Sequence, residues 1–171
     1  MNFKTLFVNQ LGAYFRMHRD KSGPTDPTAP DYDPDQDRTV PIEIEAVNVQ
    51  SDTPVNPESY TNARPAIFLA YGDTGKVQGQ EFVGADYETF TVLIYAHVNS
   101  SSPTEKDLVK RQGDMDTLVR KAVKWVRSIP PDGIFLENAY IGRVTTDKGL
   151  LGRYAFMQFE IVFLYQSDID L

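Results

Sequence analysis

Tyr87–Val98 reads YETFTVLIYAHV, and Pro103–Ser128, after four intervening residues, reads PTEKDLVKRQGDMDTLVRKAVKWVRS. The first stretch is β-branched and aromatic almost throughout. That composition fits a pleated, half-buried surface, and it predicts a strand. The second predicts a long helix, because Leu108, Met115, Leu118, Val119, Ala122 and Val126 fall on one apolar stripe at helical spacing. Ser102 stands three residues before Glu105, as in a capping box, with Pro103 at the first helical position, where the missing N–H has no partner to lose. Lys121, Lys124 and Arg127 lie near the C-terminal end, where the helix dipole favours cations, and Pro130-Pro131 ends the helix.

On the C-terminal side, residues 134–146 and 151–166 predict two strands around the turn Asp147-Lys148-Gly149, most simply a hairpin. The last of them, RYAFMQFEIVFLYQ (153–166), alternates at first and then becomes continuously apolar. On the N-terminal side, AIFLAY (66–71) predicts a short buried strand ending at the turn signal Gly72-Asp73. PIEIEAVNVQ (41–50) predicts a half-buried strand whose phase slips at Glu45-Ala46, as a bulge would require. Residues 51–64 are turn-rich, with Pro54 and Pro57. Residues 2–18 predict a first amphipathic helix, with Phe3, Leu6, Phe7, Leu11, Tyr14 and Phe15 on one side and Gly12 as its weak point.

Strands arriving in pairs on either side of one long helix imply an α+β fold. The expected sheet is mixed or antiparallel with four to five strands, and two main helices pack on one face. The chain is expected to form a single domain over residues 1–171, with a long acidic, proline-rich insertion at 19–60. Phe68, Val92, Ile94, Leu118, Ala122, Val126, Phe159, Ile161 and Phe163 are the expected core.

Charge is unevenly placed. Residues 20–58 hold ten acids against Lys21 and Arg38, a balance of −8 within a total of −7, so the rest of the chain is +1. An acidic chain without an evident basic stripe argues against gripping a phosphate backbone, which needs lysine and arginine to neutralise it. Residues 20–40 contain four prolines and few large apolar side chains, and predict a long surface loop or arm. The N-terminus lacks the uninterrupted apolar run and small-residue cleavage site of a signal peptide, and no apolar stretch is long enough for a spanning helix.

The residue types that carry chemistry give little. There is no cysteine, so thiolate metal sites and cysteine nucleophiles are excluded. The two histidines, His18 and His97, sit in no His-x-x-x-His or Glu-x-x-His pattern, and no Gly-x-Ser-x-Gly, GxGxxG or Walker loop is present. Asp73-Thr74-Gly75 matches the aspartic-protease triplet in letters, but that chemistry needs a second aspartate sharing a proton, and Lys76-Val77 replaces the usual apolar pair. Asp31, Asp33, Asp35 and Asp37 alternate as calcium ligands can, yet Gln36 stands where the sharp-turn glycine belongs and Pro34 restricts wrapping. They are weak candidate metal ligands against the simpler reading of a solvated acidic arm. An enzyme would have to use an acidic pair such as Asp86 and Glu88, which share a strand face. A monomeric ligand-binding or adaptor module is the other alternative.

Several stretches together resemble a known family. An amphipathic N-terminal helix, the strand RPAIFLAY (64–71), the long β-branched strand at 87–98, the charged helix at 103–128 and a closing strand pair ending in FEIVFLY (159–165) follow one another. This order is similar to that of the tail terminator (tail completion, minor tail U-type) proteins of long-tailed bacteriophages. There a strand of the LPAI-x-V-Y kind and a C-terminal strand of the F-x-V-x-Y kind recur. The resemblance covers residues 1–18 and 64–166; the acidic insertion at 19–60 departs from it. It implies a structural virion protein, assembled in the host cytoplasm and located at the head-proximal end of the tail. A homohexameric ring would cap the tail tube protein, halt its polymerisation and offer a docking face to head-completion or neck proteins. DNA would pass through the channel without specific binding, and like charge near that channel would discourage it from sticking. The resemblance implies no cofactor, no catalytic residue and no membrane. The charged residues of the arm and of the strand ends are the interface candidates: Asp31, Tyr32, Asp33, Asp35, Asp37, Arg38, Asp73, Lys76, Asp147 and Lys148.

Overall fold

The computed structural model describes residues 3–17, 44, 46–49, 65–76, 87–99, 105–147 and 154–166. In chain order the elements are α1 (Phe3–Met17), β1 (Ala46–Val49), β2 (Ala66–Lys76), β3 (Tyr87–Asn99), α2 (Glu105–Ser128), β4 (Leu136–Thr146) and β5 (Tyr154–Gln166). The strands form one sheet in the order β1-β2-β3-β5-β4. Strands β2 to β5 are antiparallel to their neighbours, and β1 joins β2 in parallel, so the sheet is mixed. The fold is α+β, with five strands and two helices among the described residues.

Strand β3 pairs with β5, not with β4, over an unbroken register from Tyr87↔Gln166 to Asn99↔Tyr154. Helix α2 therefore carries the chain across the sheet to the outer strand β4, and a hairpin returns it to the middle. The helix stops as its prolines require. Ile129 N–H still bonds the Trp125 carbonyl at 2.9 Å, and the chain then turns through Asp132-Gly133, with Ile134 N–H on the Pro131 carbonyl at 3.3 Å. Gly133 sits at φ 78°, a left-handed conformation that a Cβ disfavours.

The alternation of β3 and β5 builds the core. Phe90, Val92, Ile94, Ala96 and Val98 face one way, opposite Phe163, Ile161, Phe159, Met157 and Ala155, and all are buried. Both helices lie on this face. Phe7 of α1 stacks on Phe163 with centroids 4.4 Å apart, and Tyr14 meets Trp125 of α2 at 5.5 Å. Met115, Leu118, Val119, Ala122 and Val126 complete the layer from α2. The run at the end of β5 that reads as continuously apolar alternates after all, with Val162 and Leu164 half-buried on the opposite face.

Two expectations need correction. Strand β2 does not end at Gly72-Asp73: it continues to Lys76, absorbing one extra residue as a bulge between Tyr71 and Thr74. Glycine there serves close approach and not a turn, since a Cβ on Gly72 would lie 2.8 Å from the Thr91 carbonyl oxygen. Phe68 is buried as expected but on the other side. Its partner is Tyr95, so it points away from the helices and toward His97, with centroids 5.7 Å apart. Of the strand expected at 41–50, Ala46–Val49 is a strand and Ile44 is buried; the bulge expected at Glu45-Ala46 involves residue 45, which is outside the described residues.

Candidate functional site

Among the described residues strand β4 is the outer strand of the sheet, beyond β5, and its burial differs from that of the inner strands. Ala139 is buried, but residues 142–146 are exposed throughout. Its ladder to β5 shifts register twice, between Leu136 and Asn138 and between Ile141 and Arg143. Large apolar side chains gather around it in the open: Ile129, Phe135 and Tyr140 are each about half exposed, and Val144 is 37% exposed. An outer strand leaves one row of backbone N–H and C=O groups without a strand partner in its own sheet, which invites a further strand.

Between β4 and the last turns of α2 runs a groove of about 550 Å³. Ala139, Tyr140 and Ile141 line it from the strand; Arg120, Val123, Lys124, Arg127 and Ser128 line it from the helix. The cations follow from helical geometry, since positions separated by four and then three residues share one face. From Thr117 to Ser128 the helix carries Arg120, Lys121, Lys124 and Arg127 and no acid. Asp116 holds Arg120 by two hydrogen bonds, at 2.7 and 3.2 Å, and this contact raises the guanidinium further above its usual range. Lys124 and Arg127 are exposed and make no ion pair with another described residue. The helix dipole accounts for cations here in the sequence; the fold places them beside an open strand edge as well.

The sequence-predicted site residues are not brought together. Asp31, Tyr32, Asp33, Asp35, Asp37, Arg38 and Lys148 lie outside the described residues, as do His18 and Asp86, and only the backbone of Lys76 is described. Asp73 is exposed within the β2 bulge. Thr74 and Gly75 pair with β3, and the Thr89 hydroxyl donates to the Gly75 carbonyl at 3.1 Å, so the triplet is part of a ladder and not a catalytic elbow. Asp147 closes the β4–β5 hairpin: its carboxylate accepts the Phe156 N–H at 2.9 Å and its own N–H bonds the Phe156 carbonyl at 3.2 Å.

Glu88 belongs to a partly buried pair. The Tyr165 hydroxyl donates to its Oε2 at 3.0 Å, and burial first, then Glu88, pushes the phenol up to about 12. His97 is buried on the sheet face away from the helices, edge-on to Phe68 and to Phe156, whose centroid is 5.3 Å away. Among the described residues no group of three or more histidines, cysteines or acids could hold a metal ion. No described helix is long and apolar enough to cross a membrane.

No protein-family model and no curated protein matches the chain. Among the solved structures that resemble it in outline is a chain described as "Virion of native gene transfer agent (GTA) particle". The TM-score is 0.47 at 8% identity, over 70% of this chain and 78% of that one.

The groove is the feature that sequence reasoning missed. Its signal was Arg120, Lys124 and Arg127 at helical spacing, with no acid between Asp116 and the end of the helix at Ser128; the neighbouring strand was not visible from that pattern.

Proposed function

We propose that this chain is a structural virion protein that works by assembly and not by chemistry. Its copies join head to tail into a ring of six that caps a phage tail tube, stops its polymerisation and offers a face to head-completion or neck proteins. The observation that carries the reading is the open edge at β4, flanked by exposed Phe135, Tyr140 and Val144. A monomer gains nothing from keeping such an edge apolar, whereas a subunit with unlike edges on its two sides can form a heterologous contact that closes on itself. The sheet has such unlike sides, a short parallel strand β1 at one and the long antiparallel strand β4 at the other. The sequence resemblance to tail terminators supplies the tail position and the number six.

Deleting the gene and imaging the particles tests the reading. Over-long tails, or tails without heads, are expected. Tails of normal length joined to heads would sink it.

A further inference from the structure

We infer that the basic groove beside β4 is the seat of the Asp31, Asp33, Asp35 and Asp37 run of a second copy of this chain, laid along β4 as an added strand. The inference rests on the ring reading for the presence of a second copy and goes beyond it by naming the two surfaces that meet.

Three observations converge. The first is charge. The whole chain is −7, yet the groove is lined by Lys124 and Arg127, with Arg120 beside them held by Asp116, and the −8 of residues 20–58 is the complementary charge that every further copy brings with it. Such a chain repels a phosphate polymer at long range, and Lys124 and Arg127 beside an outer strand edge suit a short acidic strand better.

The second is period. In an extended chain alternate side chains project to one side about 6.6 to 6.8 Å apart. The sequence DYDPDQD therefore shows four carboxylates on one face when extended. Along a helix, Arg120 and Lys124 are about 6 Å apart and Lys124 and Arg127 about 4.5 Å. Ala139 and Ile141 face the helix side of the sheet, opposite Phe163 and Ile161, so a strand added next to β4 aims every second side chain at the same side. Pro34 suits that register. Backbone groups of alternate residues point to opposite sides, so Asp33 and Asp35 can bond β4 while Pro34, lacking an N–H, faces away.

The third is position. The acidic run precedes β1, and β1 and β4 are opposite edges, four strand spacings or about 19 Å apart. Seven residues from Asp37 to Ile44 reach at most about 24 Å, so an arm returning to its own groove would have to run nearly straight. A neighbour stacked edge to edge needs no such stretch, because the β1 side of one copy then meets the β4 side of the next.

Two full-length variants test it: K124E/R127E, which reverses the groove, and D31N/D33N/D35N/D37N, which neutralises the run. Lys124 and Arg127 are exposed, so their reversal leaves the core intact, and circular dichroism checks that each variant folds. Sedimentation of wild type should show closed oligomers, weakening as salt rises. Each variant alone should lose them, and the two mixed should form a one-to-one dimer and nothing larger, because only one groove and one run remain competent. A labelled peptide of residues 30–38 should bind the neutralised variant and bind about tenfold or more weaker once K124E/R127E is added.

Wild-type-like oligomers from K124E/R127E, with no peptide binding, would overturn the inference and leave the ring reading standing. A monomeric wild type that binds the peptide in the groove would overturn the ring and keep the groove. A monomeric wild type that binds no peptide would overturn both. A duplex oligonucleotide bound in the groove more tightly than the peptide would overturn the assignment in favour of nucleic acid.

Discussion

Strands β4 and β5 are the two arms of one hairpin, yet they behave as different materials. On β5, Phe159, Ile161 and Phe163 are fully buried between β3 and the helices, and the ladder to β3 runs thirteen residues without a shift. On β4 the ladder shifts twice within eleven residues, and its second half is exposed. The two sequences share β-branched and aromatic residues, so composition does not separate them. Position does. A strand with neighbours on both sides and helices above is held by packing, while one with a single neighbour keeps its apolar side chains for something else.

The sharpest way to test that contrast is a matched pair of truncations. Phe163→Ala should lose about 3–5 kcal/mol of unfolding free energy through its cavity, whereas Val144→Ala should change the monomer by no more than about 0.5 kcal/mol. Urea unfolding measures both, and equal losses would mean that β4 is as tightly held as β5. Next in size is Gly72→Ala, expected to cost about 1–3 kcal/mol because its Cβ would meet the Thr91 carbonyl at 2.8 Å. A neutral result would show that the β2 bulge yields easily.

A smaller effect of opposite sign is expected on the exposed side of α2. A Cβ added to Gly113 would meet nothing within 4 Å, so Gly113→Ala should raise stability by about 0.5–1 kcal/mol in thermal unfolding. Least in size is a pH effect at the Glu88–Tyr165 pair. The phenol is held up at about 12 against an ordinary 10.0, so the folded chain keeps a proton that the unfolded chain releases. Its contribution is complete below pH 10.0 and is lost as pH rises through about 12. Denaturation midpoints across that interval should fall less steeply in Tyr165→Phe.

The sequence made the inner part of the fold legible because two periods were written there without conflict. Tyr87–Val98 and Leu108–Val126 each repeat one spacing, and burial follows it. Gly72-Asp73 misled because the same two residues suit a turn or a bulge, and only the partner strand decides between them. The parallel pairing of β1 with β2 and the crossing of α2 over β5 are choices between distant segments, which local periodicity does not encode. The groove was legible only by half, since Arg120, Lys124 and Arg127 announce a cationic helix face but not the strand lying next to it.

The place of β5 also decides when this chain can fold. Phe90, Val92, Ile94 and Ala96 wait for partners roughly 60 to 70 residues further along, while the hairpin that carries those partners closes locally. Contacts of long sequence separation form late because the intervening chain must first give up its freedom. Synthesis delivers β2, β3 and both helices before Tyr154 appears, so a growing chain holds one side of its hydrophobic layer open until β5 arrives. A chain broken anywhere ahead of that strand should therefore be a target for chaperones and proteases, and should not survive as a smaller working subunit.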